Sequence, residues 1–155
     1  MQDRSHQGDM TIRMATHAEQ QRILALSGKV IVESTMGYVK QENQEKALLG
    51  LQPAIDMGAY HLVAIKDNQV VGWILIGWTI DHLLDETVGF IFDLYVFKKY
   101  RSEGIGHQLM QAAFKELKRQ GFRQCQLNVY AGNRAKRLYE ELGFREVSTI
   151  MKRPL

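Results

Sequence analysis

From Tyr60 to Phe97 the hydrophobic period of the chain is that of β-structure, and a helix-period segment follows almost at once. Tyr60 to Lys66 and Gln69 to Trp78 are rich in β-branched and aromatic residues. Only Asp67-Asn68 separates them, a pair suited to closing an antiparallel hairpin. After a polar, acidic stretch from Thr79 to Val88 a third strand is expected over Gly89 to Phe97. Strands that follow one another without intervening helices do not describe a doubly wound parallel sheet. They describe a mixed sheet whose central part is antiparallel.

The flanking segments fill in the rest. Thr11 to Ala15 alternates and reads as a short strand, and Thr16-His17-Ala18-Glu19 has capping-box spacing, so a helix should begin there. Gly28 weakens its continuity, and Glu33 to Lys40, with Gly37, reads as a break. A second helix is expected from about Gln41, interrupted or restarted around Pro53. Downstream, Leu109, Met110, Ala113, Phe114 and Leu117 define one helical face, with Lys118 and Arg119 near its end and Gly121 as the stop. Gln124 to Tyr130 alternates again, Asn133 can cap a short helix ending at Leu142 before Gly143, and Phe144 to Ile150 should be a closing strand. The order β-α-α-β-β-β-α-β-α-β places the chain in the α/β (α+β) class, with a mixed, mostly antiparallel central sheet flanked by helices.

At 155 residues and 45% hydrophobic content, one domain over residues 10–155 is the simplest organisation. Residues 1–9 read as a flexible extension, with Met10 an alternative start. No segment is apolar enough to span a membrane and the N-terminal run lacks a signal-peptide core, so a soluble, cytoplasmic protein without membrane partners is expected. The single cysteine, Cys125, excludes an intrachain disulfide framework; its alternation with Leu127 and Val129 reads as a core thiol. The five histidines do not cluster, and no metal site is expected. Charge is uneven: residues 1–88 hold seven basic against eleven acidic side chains, residues 89–155 thirteen against six. The basic half suits a polyanionic small molecule, the acidic half a cationic co-substrate. A pI near 9.0 alone suggests nucleic acid, and no aromatic-basic strand motif or recognition helix supports that partner.

The motif that carries chemistry is Arg101-Ser102-Glu103-Gly104-Ile105-Gly106, between an apolar strand and an amphipathic helix. Glycines let the backbone approach an anion, and the first turn of the helix offers N–H groups without intrahelical acceptors at the positive end of the dipole. The spacing is not the Gly-x-Gly-x-x-Gly of a dinucleotide-binding unit.

Taken with its neighbours, this segment resembles the GCN5-related N-acetyltransferase (GNAT) superfamily. Phe92-Asp93-Leu94-Tyr95-Val96 is similar to the family's cofactor strand, and Arg101 to Gly106 to its Arg/Gln-x-x-Gly-x-Gly/Ala loop. Asn133, Ala135, Tyr139 and Leu142-Gly143-Phe144 are similar to its downstream pattern. The resemblance implies transfer of an acetyl group from acetyl-CoA, as co-substrate, to the amine of a small molecule or protein by direct attack. It implies that the backbone of Leu94, Tyr95 and Val96 pairs with the pantetheine arm. The loop from Ser102 through Glu103, Gly104, Ile105 and Gly106 to His107 would bind the pyrophosphate, with Arg101 adding charge. Asn133 would hydrogen-bond the pantetheine arm and Tyr139 would reach the sulfur. A homodimer is compatible with it, although the sequence marks no seam.

Tyr139 is the general-acid candidate, but full proton transfer from a phenol of pKa about 10 to a thiolate of about 8.5 is uphill by about 2 kcal/mol, which favours a hydrogen-bonding role. Asp93 is the general-base candidate, because a carboxylate inside the apolar run Phe90 to Val96 needs a partner and desolvation would raise its pKa. Glu86, Asp85 and His82 are alternatives, acting through water, and a structural carboxylate is the other reading of Asp93. Phe92 stands where some relatives carry a glutamate. The segment from Glu33 to Lys46 is expected to shape the acceptor side. A non-catalytic acyl-CoA-binding or regulatory module on the same fold is the alternative function.

Overall fold

The computed structural model describes residues 9–155, so the extension expected over residues 1–9 lies, apart from Asp9, outside the described residues. The chain opens with strand β1 (Thr11–Met14) and helix α1 (His17–Ser34). The capping box expected at Thr16 is formed: Glu19 N donates to Thr16 Oγ1 at 3.2 Å and Thr16 N to Glu19 Oε2 at 2.8 Å. The Arg13 guanidinium closes on the same carboxylate, holding it down at about 2. Gly28 does not interrupt α1. It is buried beside Gln44, and a Cβ there would meet that side chain at 3.6 Å, an ordinary packing distance. Met36 (φ 53°) and Gly37 (φ 85°) then turn the chain. A single 3₁₀ turn (Gln41–Asn43) leads into α2 (Gln44–Leu49) and α3 (Gln52–Asp56), with Pro53 in the first turn of α3, where its lacking N–H costs nothing.

Strands β2 (Tyr60–Lys66), β3 (Gln69–Asp81) and β4 (Glu86–Val96) form the expected antiparallel centre. Asp67 and Asn68 both take positive φ, 50° and 59°, the mirror-image turn that matches strand twist. The acidic segment Thr79 to Val88 is not a loop. Thr79, Ile80 and Asp81 pair with Val88, Thr87 and Glu86, so both strands run on into a second hairpin. Asp81 accepts from Leu83 N (3.0 Å) and Leu84 N (3.2 Å) and closes its tip.

Helix α4 (Ile105–Arg119) crosses to β5 (Cys125–Leu127), and α5 (Ala135–Glu141) follows. The sheet order is β1-β2-β3-β4-β5, antiparallel except for the parallel β4–β5 pair. Two findings depart from expectation. The strand expected over Gln124 to Tyr130 shrinks to three residues, because β5 pairs with β4 only at Gly89, Phe90 and Ile91 before the two diverge. The closing strand expected over Phe144 to Ile150 is absent: residues 144–155 form neither helix nor strand. Its β-branched residues have propensity for a strand but no neighbouring backbone to pair with.

Cross-strand partners share a face, so the register sorts the core into two layers. Leu62, Ala64, Ile74, Ile76 and Ile91 meet Leu109, Met110, Ala113 and Leu117 of α4. Val63 and Trp73 meet Ile23 and Val30 of α1 on the other side. Each such buried side chain contributes about 1.5–3 kcal/mol.

Candidate active site

The divergence of β4 from β5 after Ile91 leaves the edge of β4 from Phe92 to Val96 without a strand partner. At the same point β4 is bulged: Leu75 lies opposite Asp93 and Ile76 opposite Ile91, so Phe92 is the extra residue. The bulge shifts side-chain parity and places Asp93 on the α1 face, beside Trp73 two residues from its partner Leu75. The Trp73 indole Nε1 donates to Asp93 Oδ2 at 2.8 Å. This is the partner that a carboxylate in an apolar strand requires. Burial pushes the Asp93 carboxyl up to about 6, with the Trp73 hydrogen bond and the Leu94 backbone opposing it.

Tyr139, on α5, is buried in the α4-side core. It is 9% exposed, packed against Phe144 at a ring separation of 6.0 Å, and its phenol is pushed up to about 12 by burial and then by the nearby Asp93 charge. Against a thiolate of about 8.5, full proton transfer is now uphill by about 5 kcal/mol. Tyr139 is therefore suited to donate a hydrogen bond rather than a proton. The Asp93 charge is felt by the Tyr139 phenol, while the other base candidates lie farther back along the chain. Glu86 precedes Asp93 by seven residues on β4, roughly 20 Å along the strand. Asp85 and His82 lie in the hairpin beyond it. Asp81 in that hairpin also has a structural duty, accepting from Gln126 at 2.9 Å.

At the head of α4, Ser102 (φ 67°) and Gly104 (φ 80°) both sit in the left-handed region. The serine costs about 1–2 kcal/mol there, which glycine avoids. Among the described residues, no protein acceptor receives the amides of residues 102–107; the next one, Gln108 N, returns to Gly104 O at 3.1 Å. Nothing lies within 4 Å of a Cβ placed on Gly104, so these amides border open space. Such a concave row of N–H groups backed by a helix dipole binds anions. Donors of this kind suit a pyrophosphate, and the free edge of β4 runs from the turn back to Asp93.

Arg101 is placed differently from expectation. Its Nε donates to Val96 O at 2.8 Å, its Nη2 pairs with Glu33 at 3.0 Å, and the guanidinium lies 5.3 Å from the Tyr95 ring centroid. The side chain braces the loop against β4 and the end of α1. Glu103, an anion in an anion-binding turn, is compensated by Lys66 at 3.3 Å. Asn133 ties two elements: its Oδ1 accepts from Ala135 N and its Nδ2 donates to Ser34 O, both at 2.9 Å. The expected cap of α5 is displaced: the N-cap is Arg134, and Asn133 closes the turn one residue earlier while anchoring that turn to the end of α1. The Glu33 to Lys46 segment packs here on the connection between β5 and α5, with Tyr38 against Tyr130 at 5.5 Å.

Sequence reasoning missed Trp73 as the partner of Asp93, and Glu33 and Lys66 as the partners of Arg101 and Glu103. The first depends on the bulge at Phe92, because unbroken register counted back from the second hairpin would set Asp93 opposite Ile74, on the other face from Trp73. The others join residues 68 and 37 positions apart and left no local signal. Cys125 is a half-buried thiol pushed up to about 11 by burial, unsuited to nucleophilic work.

The chain is 33% identical to the uncharacterized N-acetyltransferase YycN of Bacillus subtilis over 62% of either chain. It is 28% identical to an N-alpha-acetyltransferase of Saccharolobus solfataricus over 92% of this chain and 84% of that one. The match to YycN thus spans less than two thirds of that relative. A solved acetyl transferase structure from Pyrococcus furiosus, 24% identical, shares the fold with a TM-score of 0.80 over 95% of this chain and all of that one. The model of the GNAT acetyltransferase family matches residues 28–144, taking in the bulged strand, the amide-lined turn and the helix that carries Tyr139, and the chain belongs to that family.

Proposed function

We propose that the protein transfers an acetyl group from acetyl-CoA to a primary amine, and that its preferred acceptor is the α-amine of a peptide or small molecule. The carrying observation is the row of unpaired amides at residues 102–107, joined by the free edge of β4 to the Asp93 and Tyr139 pair. The amides of the turn hold the pyrophosphate, and the β4 edge offers peptide-like partners to the pantetheine arm. Acetyl-CoA supplies an activated acyl thioester. Asp93 takes a proton from the acceptor ammonium, directly or through one water, and frees the nitrogen lone pair to form the new C–N bond. As the C–S bond breaks, the Tyr139 hydroxyl hydrogen-bonds the departing sulfur, and the thiolate takes up the second proton shed by the acylated nitrogen to leave as the coenzyme thiol.

The acceptor class follows from proton energetics. Moving a proton from an α-ammonium of about 8 to a carboxylate of about 6 costs about 2.7 kcal/mol, from a lysine ammonium of about 10.4 roughly 6 kcal/mol. A single carboxylate tuned by burial and one indole serves the first better. The N-alpha-acetyltransferase of Saccharolobus solfataricus acts, by its name, on such amines, which supports the reading.

The test is release of free thiol from acetyl-CoA with a panel of N-terminally free peptides, N-blocked lysine peptides and polyamines. Turnover led by free α-amines is expected. Turnover led by lysine side chains would overturn the acceptor assignment, and binding of acetyl-CoA without turnover on any amine would favour a non-catalytic acyl-CoA-binding module.

A further inference from the structure

The bulge that turns Asp93 toward Trp73 also raises an aromatic wall beside it. Phe92, the extra residue of the bulge, stands on the same face of the sheet as Asp93: its Cε2 would lie 3.1 Å from a Cβ on Gly77, and Gly77 alternates with Trp73 and Leu75 along β3. The same Cβ would come within 2.9 Å of the Ala59 Cβ, so Gly77 has room for hydrogen alone. The Phe92 ring takes the space that a side chain there would fill. Phe90 packs on that ring at a centroid separation of 4.7 Å, and both phenylalanines are only half-buried. Among the described residues, neither is packed into the core layer of α4 or into that of α1. Two large apolar rings that the core does not use therefore adjoin the carboxylate.

The other neighbours of Asp93 on this face are already engaged. Trp73 and Leu75 are fully buried. On the far side, Tyr95 stacks on Trp73 at 4.9 Å and lies 5.3 Å from the Arg101 guanidinium, which leads to the turn proposed for the pyrophosphate. An acceptor that presents its nitrogen to Asp93 without meeting the coenzyme carries its first side chain to the opposite side, over Phe92 and Phe90. The geometry points to these two residues as the ones that select the acceptor: a free α-amine whose first side chain is a large apolar one, of the size of leucine, methionine or phenylalanine. The assignment rests on the reading of Asp93 as the base that receives the acceptor's proton. The rings and the Ala59 methyl offer neither donor nor acceptor, so a serine or aspartate side chain laid there would give up water and gain no partner.

The experiment measures thiol release from acetyl-CoA by the full chain on peptides that differ only in their first residue. kcat/KM should be at least about tenfold higher for leucine, methionine and phenylalanine than for glycine, serine and aspartate, the usual discrimination of an apolar contact. Phe92→Gln should shrink that ratio to within about threefold, and should do so through KM rather than kcat, because the ring meets the side chain and not the reacting atoms. Phe92→Leu keeps the wall apolar and should preserve the order of the panel. Calorimetric binding of CoA identifies a folded variant; should the glutamine fail that check, Phe90→Gln carries the same test. Turnover that ignores the first side chain, or a preference that survives the glutamine, would overturn the selectivity and leave the α-amine acceptor standing. Turnover on no free α-amine would instead remove the reading of Asp93, and the selectivity with it.

Discussion

The turn at the head of α4 and the Asp93–Tyr139 cleft lie at the two ends of one free strand edge, yet they are built on opposite plans. In the turn the working groups are main-chain amides. Its charged side chains face away from the open space, Arg101 toward Val96 O and Glu33, Glu103 toward Lys66. In the cleft the main chain is scaffolding, and two side-chain oxygens do the chemistry. The contrast teaches where each region is vulnerable: the turn to changes of backbone dihedral, the cleft to changes of functional group.

The strongest test of that division is Asp93→Asn, which keeps the shape of the side chain and removes its basicity. kcat/KM for an α-amine should fall by about 10²–10⁴, the usual worth of a general base. Titration calorimetry should find CoA affinity unchanged. In the wild type kcat/KM should rise with pH through an apparent value near 6, and this limb should vanish in the variant. Tyr139→Phe should lower kcat by about 10–10²-fold with little change in coenzyme affinity, because a hydrogen bond to a developing thiolate is worth about 1.5–3 kcal/mol. Undiminished turnover would show that the cleft uses only one of its two oxygens.

On the side of the turn, Gly104→Val forces a β-branched residue to φ 80°. The roughly 1–2 kcal/mol of strain should relax the loop and weaken CoA binding about 5–30-fold without altering the pH profile. His61 tests the sheet beneath the cleft. It lies across β3 from Asp93, opposite Leu75, and neither buried ring nitrogen has a partner among the described residues. Burial pushes it down to about 4. The unfolded chain takes up its proton near 6.5, so the native state loses stability as pH falls from about 6.5 to about 4. His61→Leu should abolish that slope and gain about 2 kcal/mol at pH 5, measured by urea unfolding. The sign for Asp93 is opposite, since a raised carboxylate pKa costs stability as pH rises from about 4 to about 6. The smallest effect is expected for Arg101→Ala. If its guanidinium only braces the loop, CoA affinity should drop by no more than about fivefold, near 1 kcal/mol for a partly exposed pair. A hundredfold loss would mean the arginine swings onto the phosphates, and the contrast between the two regions would fail.

Most of the strand and helix order was legible because it is written in local periodicity: the Thr16 capping box, the Asp67-Asn68 turn and the α4 stripe each involve residues within a few positions. The amide-lined turn was legible for the same reason. What escaped was set by register. A one-residue bulge at Phe92 decides that Asp93 meets Trp73, and the divergence of β5 after Leu127 decides which backbone edge stays free. The closing strand shows the converse failure, a segment with the right residues and no partner within its own chain. Propensity describes what a segment can do; pairing needs a second backbone.

The indole that holds Asp93 carries no charge, and that has a consequence for repeated turnover. A guanidinium in its place would lock the carboxylate as an anion and make each protonation break an ion pair. A carboxyl left to itself would drift between rotamers. The Trp73 N–H can donate to either protonation state, so it acts as a bearing, letting the acid pick up and shed its proton while the oxygen that does the work keeps its aim.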